Sequence, residues 1–89
     1  MAYKHNVVSV TTSSQTLEEL LGFELEDGLD CLTLEPDSSD VFWNMVGVAS
    51  SSTGKLKSGT SFPISRGSAR LIELVVSSGT VDVQVIQGY

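Results

Sequence analysis

Residues 54–89 read GKLKSGTSFPISRGSARLIELVVSSGTVDVQVIQGY. This stretch decides the fold, because three β-prone runs alternate with turns that are rich in Ser and Gly. Residues 70–76 are almost continuously apolar and predict a central strand, whereas Pro63 marks residues 60–64 as an edge strand. The last run, residues 80–87, has alternating valines, which predict a strand with one buried face. The valines on that face are Val81, Val83 and Val85.

The first half of the chain predicts three more strands and one short helix. The strands cover residues 7–12, 29–35 and 41–45. Thr16 and Glu19 have the spacing of a capping box, in which each side chain bonds the backbone amide of the other residue. Gly22 is placed to end the helix in the left-handed conformation. We therefore predict a helix over Leu17–Leu21.

Strands that recur about every 8–12 residues are typical of β-sandwiches and barrels. We predict an all-β fold, a small antiparallel β-sandwich of the jelly-roll type with one short helix. The 89 residues correspond to a single domain, 1–89. Within it, residues 1–6 are predicted to form a flexible N-terminal segment. The predicted core consists of Val8, Val10, Leu32, Leu34, Ile72, Leu74, Val81, Val83 and Val85.

Composition argues against several classes of partner. The net charge of −6 is unfavourable for nucleic acid, because phosphate contacts need clustered Lys and Arg. No apolar run is long enough for a transmembrane helix or a signal peptide, so we predict no membrane partner. The single cysteine, Cys31, rules out a disulfide within the chain and favours assembly inside a cell.

The charges are unevenly distributed along the chain. Nine of the eleven acidic residues fall within residues 18–40, where no basic residue occurs. Four of the five basic residues follow later, as Lys55, Lys57, Arg66 and Arg70. In one interpretation the acidic region is a solvated surface that keeps the protein soluble. In the other, the acidic region of one subunit meets the basic residues of a neighbour or partner.

No combination of residues has the form of a catalytic or metal site. His5 is the only histidine, and it falls in the predicted flexible segment. The serines at positions 50–52 have no acid–base partner nearby in the sequence, which a serine nucleophile requires. Glu35, Asp37 and Asp40 do not have the spacing of a calcium loop. We predict a protein that is not an enzyme and has no catalytic residues, metal or cofactor.

Phe42 and Trp43 are adjacent on a predicted strand and must therefore face opposite ways. In one interpretation one ring is in the core and the other is exposed to a partner or a sugar. In the other, both rings are covered, with Trp43 lying under the loop at residues 46–54. Ile86 lies opposite the valine face of its strand and is a further candidate for an interface.

Two motifs carry a resemblance. Residues 57–61 read KSGTS and lead into a short strand, and residues 78–83 read SGTVDV near the end of the chain. With the surrounding strand pattern over residues 7–87, they resemble small β-sandwich virion proteins of tailed bacteriophages. That group includes capsid decoration (cement) proteins and related head or tail accessory domains.

The resemblance implies a non-enzymatic virion structural protein, most simply a decoration protein that binds and stabilises the head lattice. Its partners would be the major capsid protein or other virion proteins, and it would be a homo-oligomer. It would be located in the virion, after assembly in the host cytoplasm. We expect an edge at residues 3–8 to be completed by a neighbour. The candidate partner-binding residues are Trp43, Phe42, Lys55, Lys57, Arg66, Arg70 and Ile86. The alternatives are a carbohydrate-binding or adhesin-like module, or a tail accessory protein.

Overall fold

The computed structural model describes residues 3–25 and 29–88. These residues form eight strands and two short helices. In chain order they are β1 (Tyr3–Val10), β2 (Gln15–Thr16), α1 (Leu17–Leu21), β3 (Cys31–Pro36), β4 (Val41–Asn44), β5 (Gly54–Leu56), β6 (Phe62–Ser65), α2 (Arg66–Leu71), β7 (Glu73–Val75) and β8 (Val81–Gly88).

The strands make two four-stranded antiparallel sheets. The first has the order β1-β8-β3-β6 and the second has the order β2-β7-β4-β5. The first strand thus pairs with the eighth, the second with the seventh, the third with the sixth and the fourth with the fifth. This is the strand order of a jelly roll, in which a folded-back ribbon wraps around one core. The predicted all-β sandwich is confirmed.

The buried apolar side chains form one cluster between the sheets. All nine residues of the predicted core belong to it, and seven of them are fully buried. Valines of β1 lie directly opposite valines of β8, with Val8 beside Val83 and Val10 beside Val81. Cross-strand apolar pairs of this kind stabilise a sheet as well as the core beneath it. The alternating valines of residues 80–87 therefore decide which face of the first sheet is buried.

Helix α1 forms as its local signals predict. The Thr16 hydroxyl accepts a hydrogen bond from the amide of Glu19 at 3.2 Å, and the Glu19 carboxylate accepts one from the amide of Thr16 at 3.0 Å. Gly22 ends the helix with a φ of 83° and donates its amide to Glu18. Leu17 is fully buried, so the cap directs the helix into the core. The prediction of a helix over Leu17–Leu21 is confirmed.

A second helix replaces the beginning of the strand predicted at residues 70–76. Ser65 caps α2 by accepting a hydrogen bond from the amide of Ser68, and Ala69 on this helix is fully buried. Leu71 closes the helix and is 61% exposed. Ile72 then returns to extended backbone, so that only Glu73–Val75 form the central strand β7. The prediction of a single helix is wrong here, because a short apolar run fits a helix and a strand equally well.

Part of the segment predicted to be flexible, residues 1–6, belongs to a strand. Residues 3–6 lie in β1 and are in register with residues 85–88 of β8. Gln87 is completely buried, and its side-chain amide donates a hydrogen bond to Asn6 at 3.0 Å. The order of this segment comes from β8, which extends to Gly88 and provides a partner for each residue. Residues 1 and 2 lie outside the described part of the chain.

A substitution of Leu74 tests whether β7 is a central, buried strand. Leu74 is fully buried on a central strand, so Leu74→Ala should lower the free energy of unfolding by about 2–5 kcal/mol. Leu71→Ala is the matched control, because this side chain is largely exposed and its loss should change stability by no more than about 0.5 kcal/mol. Urea titration followed by fluorescence measures both values. Equal losses for the two variants would contradict the packing described here.

Candidate functional site

The edges of the two sheets differ in how well they are protected against strand addition. In the second sheet, the edge strands β2 and β5 have only two and three residues. In the first sheet, β6 is an edge strand and contains the exposed Pro63, which confirms the predicted edge. Short strands and prolines both hinder the pairing of another strand. β1 has eight residues, contains no proline and keeps an uninterrupted register with β8. β1 is therefore the open edge of the structure.

Two hydrogen bonds on the far side of β8 show which groups of β1 face outward. The carbonyl of Asp82 accepts from the amide of Asp37 at 3.0 Å, and that of Gly88 accepts from Asp30 at 2.8 Å. Both acceptors therefore point toward β3. Because the direction of backbone groups alternates along a strand, the odd-numbered residues of β8 point toward β1.

The β1 residues opposite those odd-numbered positions use their backbone groups within the sheet. They are Lys4, Asn6, Val8 and Val10. The amides and carbonyls of Tyr3, His5, Val7 and Ser9 consequently point away from the sheet, into the space beside the open edge. A row of alternate residues with outward-facing backbone groups is a template for another strand.

The side chains of His5, Val7 and Ser9 share the outer face of the first sheet, and we call them the β1 stripe. All three are exposed, and Val7 is 54% exposed. His5 shares a hydrogen bond with the Gln84 side chain, and the Ser9 hydroxyl donates to Asp82 at 3.0 Å. The polar ends of the stripe are thus tied to β8, while the apolar centre at Val7 is left uncovered.

The predicted interface residue Ile86 lies next to this stripe. It is half-buried on the outer face of β8 and is the cross-strand neighbour of His5 on one side and of Thr33 on the other. Of the residues predicted to bind a partner, Ile86 is the one that the register of β8 places beside the open edge.

Trp43 faces the core and Phe42 faces outward. Trp43 lies opposite Leu74 and Gly54, and its ring centroid is 5.4 Å from that of Phe62. A side chain at position 54 would collide with the indole, so glycine is needed there. Trp43 is therefore half-buried beside Phe62 and Gly54, and Gly54 is the last residue of the loop predicted to cover it at residues 46–54.

A groove lies on the outer face of the second sheet, where Phe42 is half-buried. Its volume is about 310 Å³, at the lower end of the range for ligand pockets. The amide of Ala49 holds one wall in place by donating to the Ser14 hydroxyl at 2.9 Å. The lining is part apolar and part hydroxyl, with no charged side chain: Thr12, Phe42, Ala49, Ser50, Ser51, Val75, Val76 and Ser77.

The predicted basic residues lie in two different parts of the fold. The ammonium of Lys55 lies 3.3 Å from the carboxylate of Asp40, and Lys57 is exposed just after β5. Arg70 lies in α2 and donates to the carbonyl of Leu25 at 2.9 Å. Arg66 begins the same helix, and its side chain lies outside the described part of the structure. Lys55 and Arg70 thus make contacts within their own chain.

Several residues of the acidic region also serve the fold. Glu18 accepts a hydrogen bond from the amide of Leu25 at 2.8 Å, and Glu35 accepts one from the Ser61 hydroxyl at 2.6 Å. Asp37 accepts one from the side-chain amide of Gln84 at 2.8 Å. Glu26 and Asp27 lie outside the described residues. Several carboxylates between residues 18 and 40 therefore form hydrogen bonds that hold neighbouring segments of the chain together.

Asp40 and Glu19 have lowered pKa values. For Asp40 the main cause is the amide of Ser58, which donates to its carboxylate at 3.1 Å, and Lys55 adds to the effect. For Glu19 the main cause is the backbone amide of Thr16 in the capping box. Both carboxylates are stabilised in their charged form, because their hydrogen-bond donors are fixed by the fold.

Within residues 3–25 and 29–88, no group of three or more His, Cys, Asp or Glu side chains is arranged to hold a metal ion. Neither helix in this part of the chain is long enough or apolar enough to cross a membrane. Comparison with protein-family models, with curated proteins and with solved structures finds no match to this chain. Within the described residues, the open edge of β1 and the groove at Phe42 are the two features that bear on function.

Asp40 gives the structure a pH dependence that can be measured. Its lowered pKa stabilises the fold above the ordinary aspartate pKa of about 3.9, and this contribution is lost as the pH falls through the lower pKa of the folded state. Asp40→Asn should therefore reduce the melting temperature at neutral pH and should flatten its decline between about pH 5 and pH 2. Thermal denaturation followed by circular dichroism at several pH values measures this.

Asp30→Asn is the control for the change in net charge. Asp30 is exposed, and its carboxylate makes no hydrogen bond within the described residues. This variant should keep the acid sensitivity of the native chain. If both variants change the pH profile equally, the Ser58 and Lys55 contacts are not its cause.

Proposed function

We propose that this chain is a non-enzymatic structural protein of a bacteriophage virion, and specifically a decoration protein that binds the head lattice and stabilises it. The observation that supports this proposal best is the open edge of β1 on a jelly roll whose other three edges are short or contain proline. A domain of this kind can pair with a strand of another protein at the β1 edge. Jelly rolls occur in viral capsid proteins and in lectins, and the same fold hosts many functions.

A decoration protein works by adding contacts across the joints between capsid subunits. No chemistry is needed, because modest contacts repeated by symmetry sum to a strong attachment. In this chain the partners are the major capsid protein or other virion proteins, together with further copies of the chain itself. Most residues of the loop at 46–53 are partly or fully exposed, and so is Lys57. We assign the lattice contacts to this loop and to the turn at Lys57, because loops on a rigid scaffold commonly carry binding residues. The protein is then located in the virion.

Binding to heads and stabilisation of heads are tested separately. The purified chain is mixed with heads of the phage whose genome encodes it, and bound protein is measured after sedimentation. The temperature at which the heads release DNA is then compared with that of bare heads. We expect saturable binding and a higher release temperature. Saturable binding with an unchanged release temperature would refute the stabilising role alone, and an absence of binding would refute the lattice role.

A second function, the binding of a carbohydrate, is favoured by the groove at Phe42. Its aromatic floor offers a surface for the apolar face of a sugar ring, and the hydroxyls of Thr12, Ser51 and Ser77 make no hydrogen bond within the described residues. Those hydroxyls are available to a polar ligand. The lining carries no charge, so the groove suits a neutral sugar better than an acidic one.

Phe42→Ala tests this second function. Neutral mono- and disaccharides are titrated into the labelled protein, and amide chemical shifts are followed by NMR. The native chain should show saturable shifts around the groove, and Phe42→Ala should lose them. Phe23→Ala is the control, because Phe23 is 42% exposed and does not line the groove. If no sugar in a broad panel shifts the groove amides, the carbohydrate function is excluded.

A further inference from the structure

We propose that the open edge of β1 is occupied by β1 of a second copy of the chain, antiparallel and related by a two-fold axis at Val7. The two first sheets would then join into one continuous eight-stranded sheet. This inference rests on the proposed function, because it names the partner that occupies the open edge of β1. It leaves the loop at residues 46–53 free for the lattice.

The backbone of β1 is self-complementary in this arrangement. Val7 lies opposite Val7 of the second copy, and His5 lies opposite Ser9 of the second copy, with the reverse pair on the other side of the axis. These are the residues whose amides and carbonyls point out of the sheet. Each hydrogen-bonded pair exchanges two bonds, so the three pairs make on the order of six backbone hydrogen bonds.

The point at which the chain leaves the open edge limits the register of the two paired strands. The carbonyl of Thr11 accepts from the amide of Val76 at 3.0 Å, so beyond Val10 the chain turns away from the edge toward the second sheet. The segment that can pair therefore runs from Tyr3 to Ser9, and the β1 stripe lies within it. A slip of one residue would present backbone groups already used by β8.

The side chains of the stripe favour the same register. Val7 is its only apolar member, and a two-fold axis at this residue packs the two exposed valines against each other. An axis at Asn6 would instead set Val7 against the imidazole of His5. With the axis at Val7, His5 of each copy meets Ser9 of the other copy at the two ends of the shared ladder.

The charges favour antiparallel pairing over parallel pairing. Ser9 is bonded to Asp82, so an acidic residue lies at one end of the stripe and His5 lies at the other. A parallel arrangement in register would bring the two Asp82 carboxylates to the same end. The antiparallel arrangement separates the two Ser9–Asp82 ends by about four residues, or roughly 13 Å along the strand. That exceeds the Debye length of about 10 Å at 0.1 M salt, which matters for a chain with a net charge of −6.

Val7→Lys tests the proposal in solution without any capsid. A lysine on an edge strand opposes pairing, and here it would also face itself across the two-fold axis. By sedimentation equilibrium from micromolar to millimolar concentration, the native chain should approach twice its mass of 9.5 kDa. Val7→Lys should remain a monomer with unchanged circular dichroism, since Val7 is already largely exposed.

Leu71→Lys is the matched control, because Leu71 is 61% exposed at the end of α2, close to the exposure of Val7, and lies far from β1 in the sequence. It should dimerise like the native chain. The proposal is overturned if the native chain is monomeric throughout, or if both lysine variants lose the dimer equally. If the native chain is monomeric but Val7→Lys abolishes binding to heads, the edge is occupied by a capsid strand and not by a second copy.

A cysteine cross-link tests the register. Cys31 is exposed and is first replaced by serine. In that background Val7→Cys should form a disulfide-linked dimer on mild oxidation, because paired residues at this position have Cα atoms about 5.5 Å apart, within the range for disulfides. Ser9→Cys on the same stripe should not cross-link, because it faces His5 of the second copy. Cross-linking through position 9 instead would overturn the axis at Val7. The sedimentation and cross-linking assays contain no heads, so they succeed or fail independently of the lattice role.

Discussion

The position of β8 between β1 and β3 is the constraint on which the structure depends. It provides the ladder for β1 along its whole length and for β3 on its other side. Its three valines fill the core while the opposite face carries Asp82, Gln84 and Ile86. Because β1 and β8 are the first and the last strand, the first sheet closes only when segments that lie far apart in the sequence meet. The hydrogen bond between Gln87 and Asn6 stabilises that contact.

Closure of the sheet also creates the open edge. Pairing with β8 satisfies the backbone groups of β1 on one side and orders its residues, which fixes the outward direction of the groups on the other side. An edge that is ordered in advance loses less conformational freedom when it pairs than a flexible segment would. The same hydrogen bonds that stabilise the domain therefore order the edge at which we propose association. In the other three edges, short length or a proline acts against association.

Several acidic residues take part in hydrogen bonds that hold the fold together. Glu18, Glu35, Asp37 and Asp40 each accept a hydrogen bond from a loop or a neighbouring strand. The interpretation of the acidic region as a docking surface for basic residues loses support, since Asp40 and Lys55 pair within one chain. A surface ion pair of this kind contributes little stability by itself. Within the described residues, these charges hold turns and loops in place.

The sequence by itself determined whatever depends on local hydrogen bonds or on a repeated pattern. The Thr16–Glu19 capping box fixed helix α1, and the alternation of valines fixed the buried face of β8, because both signals are complete within a few residues. Tertiary structure decided the rest. The apolar run at residues 70–76 became part of a helix and a short strand because Ala69 and Leu74 each had to reach the core. The faces of Phe42 and Trp43, the groove and the open edge at Val7 all depend on which distant strand lies alongside, and local pattern does not contain that information.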